Sequence, residues 1–365
     1  MANPYTTQTI ANYNTSPPPN DRSRTLDNRV DWDKHKSKLA DPIKTLAESV
    51  NSETLAAFNT LDGRVKINNM IRNGDFRVAQ RGDGPFTSTT TASGGVSNDG
   101  DTGQYQIDGW VLLTDGTDVA DIARELTTTP TDKDGAVALT LATNGAKFGI
   151  FQIIEHRDSV HALNGSASLK FKAMSEATGI DELKAAVLTW TSTQDRPTRD
   201  FVDTWNGSDV RPTATTNWTY ENNTPGTTLP TATTFTEFTQ EGIPIDSTNG
   251  ANIGVFIWHD KLVATEGDIL YISDVVLQPG DSIQNPTPEP FVDELQRNQR
   301  FYSKISTVAL NGEMWLPWPV RMHTATGAAP TVTTAAGTAT DITVDGTRIS
   351  HNALATQDVE VSAEL

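Results

Sequence analysis

The sequence predicts a mainly β protein: an extended N-terminal segment, a short helical stretch, a two-sheet β-sandwich and a smaller β unit at the C-terminus. Three observations lead there. Short runs of alternating or continuous apolar residues recur from Asn68 to Pro279, separated by clusters of Gly, Asp, Asn, Thr and Pro. Threonine is abundant in those runs, as suits half-exposed strand faces. Finally, 365 residues exceed the usual size of one domain, so two or three folding units are expected.

Taken in order, residues 1–30 carry no apolar period and contain Pro17, Pro18 and Pro19 beside Tyr13. Such a segment favours extended, polyproline-like chain and cannot bury a core alone, so a groove on a partner is its expected support. A helical pattern begins at Asp31 and runs to residue 66. Asp41 and Pro42 read as the N-cap and first residue of a helix whose seam is Leu39, Ile43, Leu46 and Val50, continued by Phe58 and Leu61. Its four-residue steps break a strict heptad, so the expectation is a short oligomerisation collar, a homotrimer, against an intramolecular hairpin.

Between residues 67 and 288 the expected strands include Met70–Gln80, Gln104–Leu113, Phe148–His156, Asn252–His259 and Ile269–Leu277. Their spacing points to a jelly-roll sandwich. Glu289–Arg300 interrupts the β pattern with a helix opened by Pro290, its apolar face drawn through Phe291 and Leu295. Strands then resume, so residues 289–365 form a helix plus a small β domain. Trp315 and Trp318, three apart, require a bulge or turn between them.

Composition narrows the function. A formal net charge of −18 argues against a face for nucleic acid or anionic lipid. With no cysteine, disulfides and thiolate chemistry are excluded. No stretch approaches the roughly 20 apolar residues of a membrane span, and the N-terminus lacks the layout of a signal peptide, so synthesis in the cytoplasm without membrane insertion is expected.

No P-loop, nucleophile elbow or paired-histidine motif occurs; His156 and His161, five apart, read as isolated side chains. No cofactor is expected, and no catalytic residue. Asn98–Asp101 and Asp132–Gly135 are acidic turns with some of the oxygen donors a calcium ion wants, but neither completes an EF-hand loop. Sugar binding would need an exposed aromatic platform, and Trp205, Trp218 and Tyr220, in the Thr- and Asn-rich excursion 203–230, are the candidates. The alternative is that they pin that excursion to its own sheet. Trp110, Trp190 and Trp258 lie in strand patterns and are expected in the core.

Three stretches carry a resemblance. NMIRNGDFRVAQRG at 69–82 with YQIDGW at 105–110 is similar to the opening strands of carbohydrate-binding-type jelly rolls in tailed-bacteriophage fibre and spike proteins. LYISDVVLQPG at 270–280 resembles their closing strand, and EPFVDELQRNQRFYSK at 289–304 resembles the helix and strand that follow. The resemblance implies a non-enzymatic virion protein, its N-terminus docked to other virion proteins of tail or capsid and its β modules turned toward host-surface glycan. A capsid-attached head fibre or decoration protein is the alternative within that class. Glycan depolymerase is the alternative outside it, and no long β-helical repeat supports it.

Overall fold

The computed structural model describes residues 69–363, leaving out 88–104, 117, 208–209, 223–226, 287–288, 324–329, 335–337, 341 and 344. The seam Leu39, Ile43, Leu46, Val50, Phe58 and Leu61 lies outside the described residues, as do Tyr13, Pro17, Pro18, Pro19 and the acidic turn at 98–101.

The chain is mainly β. In order, the strands are β1 (Phe86–Thr87), β2 (Tyr105–Ile107), β3 (Trp110–Thr114), β4 (Ala120–Glu125), β5 (Ala136–Leu141) and β6 (Phe148–Ile154). After helix α1 (His156–Ser159) come β7 (Gly165–Ser175), β8 (Glu182–Trp190), β9 (Val202–Thr204), β10 (Thr213–Ala214), β11 (Trp218–Tyr220) and β12 (Thr227–Thr228). Then follow β13 (Thr236–Ile245), β14 (Asn252–His259), β15 (Ile269–Pro279) and helix α2 (Phe291–Gln299). The chain ends in β16 (Tyr302–Pro317), β17 (Thr331–Thr334), β18 (Thr338–Thr340) and β19 (Gly346–Ser362).

Two antiparallel sheets form the sandwich. One runs β1-β4-β5-β15-β7-β13, the other β11-β8-β14-β6-β3-β2 with β12 on β8. Their facing side chains make the main core, among them Ile122, Leu139, Leu270 and Ile272 from the first sheet and Trp110, Ile150, Val255 and Ile257 from the second. The second sheet is also covered on its outer face, and its middle strands are continuous apolar runs for that reason. On β14, Ile253, Val255 and Ile257 enter the main core, whereas Phe256 and Trp258 join a second cluster outside it. Small residues on that outer face make room for rings. A Cβ on Gly254 would stand 2.6 Å from the Phe151 ring and 3.1 Å from the indole of Trp218. The expected core residues Trp110, Trp190 and Trp258 are indeed buried.

Met70–Gln80, expected as a strand, is instead a turned segment. Asn73 and Phe76 have positive φ (52° and 57°), and the Asn73 side chain closes the turn by accepting from Val78 N–H and donating to the Val78 carbonyl. That local bonding competes with a ladder. Gly74 is obligatory here, because a Cβ would stand 2.2 Å from the Val275 carbonyl oxygen.

Helix α2 sits where the sequence places it, with Pro290 as its N-cap, but its buried face is polar. Phe291 and Val292 are exposed and Leu295 is half-buried, whereas Glu294 and Asn298 are buried. The reason is a network joining the three motif stretches. Glu294 accepts from Asn73 N–H at 2.6 Å and from Arg77 at 3.2 Å. Asn73 also donates to the Asp108 carbonyl, and its own carbonyl receives the indole N–H of Trp110. Asp108 takes Gln80 N–H and an ion pair with Arg81 at 2.9 Å. Gln80 donates onward to the Tyr302 carbonyl. Asn69 bonds to Val275 and Leu277 of β15. Buried polar groups of this kind persist only when partnered, so the motif is a clasp that fixes α2 and the C-terminal sheet to the sandwich.

The C-terminal sheet has the order β16-β19-β17, with β18 also on β19. β16 is one long strand with irregularities between Ile305 and Val308 and between Leu310 and Gly312. Trp318 lies past the strand end, buried in a small core with Met322, Val359 and Val361, and its indole donates to Thr343. Strand termination, with no bulge between 315 and 318, resolves the three-residue spacing.

Candidate functional site

Because the clasp holds α2 against the sandwich, the end of that helix meets one end of β6. A cleft of about 400 Å³ opens there, lined by Glu155, Arg157, Asp195, Arg300, Arg321, Met322 and His323. Glu155 and Arg157 come from the β6–α1 junction, Asp195 from the loop after β8, Arg300 from the end of α2, and the last three from the chain beyond β16.

Each group is held by a stated partner. Arg300 forks both oxygens of Glu155 at 3.0 and 3.1 Å, the planar pairing that guanidinium and carboxylate favour. Asp195 Oδ1 accepts from His156 N–H and from the Asn252 amide, both at 2.7 Å. The imidazole of His323 stacks on Phe301 with centroids 5.0 Å apart. Its Nε2 lies 3.5 Å from Glu155 and 3.8 Å from Asp195 Oδ2. Arg157 is mostly exposed, with ion contacts of 3.3 and 3.5 Å to Glu155 and Asp158. Arg321 is exposed.

Burial alone would raise the Asp195 carboxyl, but the nearby His323 imidazole and the hydrogen bonds from His156 N–H and Asn252 outweigh it and hold the group below its ordinary 3.8. A carboxylate whose folded-state pKa is depressed stabilises the fold above its unfolded value, and that contribution disappears as pH falls through the folded value. Melting followed from pH 6 down to pH 2 is therefore expected to fall less steeply in Asp195→Asn than in the parent. Parallel curves would show that Asp195 takes no part in acid stability.

Glu155, Asp195 and His323 each offer a donor atom within 4.8 Å of the others, a grouping that invites a metal ion. The surroundings oppose it. Both Glu155 oxygens are already neutralised by Arg300, and Arg157 and Arg321 line the same space, so a cation there would face three guanidinium groups.

The expected aromatic platform is not one. Trp218 is only 5% exposed, its ring edge-on to Phe151 at 5.4 Å and its indole N–H bonded to the Thr198 carbonyl. Trp205 and Tyr220 are half-buried against the same cluster. Trp205 donates to Thr114, and the Tyr220 hydroxyl donates to Pro212. Burial pushes the Tyr220 hydroxyl pKa well up, with Arg211 over the ring opposing. The excursion folds back onto the outer face of the second sheet, because Phe151, Phe256 and Trp258 leave an apolar surface there that water would otherwise cover. These three residues therefore pin the loop.

In the acidic turn Asp132–Gly135, Lys172 ion-pairs with Asp132 at 2.9 Å, and Lys133 pairs with Asp274 at 2.7 Å. Lysine ammonium groups stand beside those carboxylates.

No family model and no curated protein matches the chain. Among solved structures, TmCBM61 in complex with beta-1,4-galactotriose is 12% identical with a TM-score of 0.32, over 58% of this chain and 99% of that one. The xylan-binding CBM22-1 domain of Paenibacillus barcinonensis Xyn10C is 10% identical with a TM-score of 0.29, over 53% and 100%. The enzymatically active domain of bacteriophage CBA120 tailspike protein 4 is 14% identical with a TM-score of 0.31, over 53% of this chain and 22% of that one.

The cleft itself was invisible in the sequence. Its residues lie at 155–157, 195, 300 and 321–323, and no local spacing links them. The nearest signal was the QRNQRF run of α2, whose last arginine reaches Glu155.

Proposed function

We propose that this chain is a non-enzymatic virion protein of a tailed bacteriophage, of the fibre or spike kind. It docks by its N-terminal segment, assembles as a homotrimer through the helical collar, and turns its β modules toward host-surface glycan. The observation that carries glycan recognition is the open cleft beside α2. Its lining of charged side chains offers hydrogen-bond donors and acceptors for a hydroxyl-rich ligand, while the aromatic face of the sandwich is closed by its own loop. The family resemblance of residues 69–82, 270–280 and 289–304 supports the virion role.

A glycan depolymerase is disfavoured on chemical grounds. Two carboxylates do meet in the cleft, but glycoside hydrolysis needs one of them kept protonated as a general acid, and Asp195 is held ionised while Glu155 is locked in the Arg300 fork.

Labelled full-length protein is expected to bind host cells, and to lose binding when surface polysaccharide is stripped. Incubation with that polysaccharide should release no new reducing ends, and antibody labelling of intact particles should place the protein on the virion. Release of reducing ends would establish the depolymerase. Absence from the particle would overturn the virion role, and labelling on the capsid would favour the head fibre.

A further inference from the structure

We infer that the cleft beside α2 takes an acidic sugar, with the exposed guanidinium of Arg321 as the anchor for its carboxylate. This deepens the glycan-binding reading and rests on it.

Charge comes first. The chain as a whole is strongly acidic, with 46 Asp and Glu against 28 Lys and Arg. The cleft inverts that balance, bringing three arginines together with only two carboxylates. Those carboxylates are largely spent on protein partners. Glu155 is taken by the Arg300 fork, and Asp195 Oδ1 by Asn252 and a backbone N–H. The cations are not all spent. Arg321 makes no ion pair or hydrogen bond among the described residues, and Arg157 keeps only long contacts with its side chain 62% exposed. The surplus is thus positive and faces solvent, and planar guanidinium is the side chain best suited to a carboxylate.

Two further features select a sugar acid, the first over a bare anion and the second over a neutral sugar. Asp195 Oδ2 has only the 3.8 Å approach of His323, which leaves it able to accept from a hydroxyl. The one ring in the lining, the imidazole of His323, is 4% exposed and stacked on Phe301, so no open aromatic face is offered to a neutral pyranose. An unstacked site must draw its affinity from charge and hydrogen bonds.

The test is calorimetric titration of the full chain with glucuronate-, galacturonate- and sialate-bearing oligosaccharides, each paired with its carboxyl-reduced form, and with acetate as the bare carboxylate. At least one acidic oligosaccharide should bind about tenfold more tightly than its reduced partner. Arg321→Glu should abolish the difference without lowering the melting temperature, since that side chain is exposed. Arg321→Lys should restore part of the affinity.

Equal affinity for acidic and reduced forms, or unchanged binding by Arg321→Glu, would overturn the inference and leave glycan binding intact. Acetate binding as tightly as the oligosaccharide would make this a plain carboxylate site. Calcium or zinc binding that Asp195→Asn removes, with no acidic sugar bound, would make it a cation site. Failure of all the oligosaccharides while host cells still bind would refute the acidic ligand alone; failure of host-cell binding as well would refute the glycan-binding reading.

Discussion

Trp218→Ala is expected to cost about 3–5 kcal/mol of folding stability, the usual penalty for emptying a packed Trp site. For a unit of this size that is a fall of roughly 10 °C in melting temperature. The site is enclosed. Trp218 contacts the rings of Phe151, Trp190 and Phe201 with centroids 5.4, 5.5 and 6.4 Å away, and its indole N–H satisfies the Thr198 carbonyl, which truncation would strand. It also pairs in register with Trp190 across β11 and β8, so its loss should loosen the excursion from the sheet. Tyr220→Phe should cost only about 1 kcal/mol, since it removes one hydrogen bond to Pro212 and keeps the ring. Thermal melting with host-cell binding measured on the same variants separates the two roles these residues could have. An unchanged melting temperature with lost binding would return Trp218 to the recognition surface.

A comparable loss, about 3–5 kcal/mol, is expected for Asn73→Ala. The amide of Asn73 is fully buried and serves Val78 N–H, the Val78 carbonyl and the Asp108 carbonyl. Each such group left dry costs about 1–3 kcal/mol, and an alanine at φ 52° adds about 1 kcal/mol of backbone strain. Asn73→Gly relieves the strain alone and should recover only that part. Since Asn73 N–H is also the short bond to Glu294, disturbance here should release α2, which limited proteolysis would detect as faster cleavage in 281–289. Parent-like cleavage together with a parent-like melting point would show that the clasp does not hold the C-terminal sheet.

The clasp illustrates how a motif can be legible while its meaning is not. The resemblance locates 69–82, 105–110, 270–280 and 289–304, yet in the sequence the first stretch reads as a strand. The apolar pair Met70 and Ile71 followed by Phe76 and Val78 alternating with Arg77 resembles a ladder, and nothing local announces that Asn73 will spend its side chain on Val78 instead. Likewise the apolar period of α2 marked Phe291 and Leu295 as the packing face, whereas the partner waiting for that helix was a set of unsatisfied backbone and guanidinium groups, which called Glu294 inward.

By itself the sequence determined the mainly β class, strands such as β6, β14 and β15 to within two residues, the helix after Pro290, and the burial of Trp110, Trp190 and Trp258, whereas β10 to β12 lie inside the excursion 203–230, which reads as a loop. Those features follow from local pattern, since period, turn residues and continuous apolar runs are written along the chain. Tertiary structure alone decided which aromatics face solvent and which charges meet. Trp205, Trp218 and Tyr220 sit in a polar, turn-rich stretch that leaves an exposed platform and a pinned loop both open, until the outer face of the second sheet proves apolar and draws them down. Glu155, Asp195, Arg300, Arg321 and His323 become neighbours only because the clasp seats α2 at the end of β6. Long-range pairing of this kind depends on how whole elements pack, and no residue carries it in its immediate sequence.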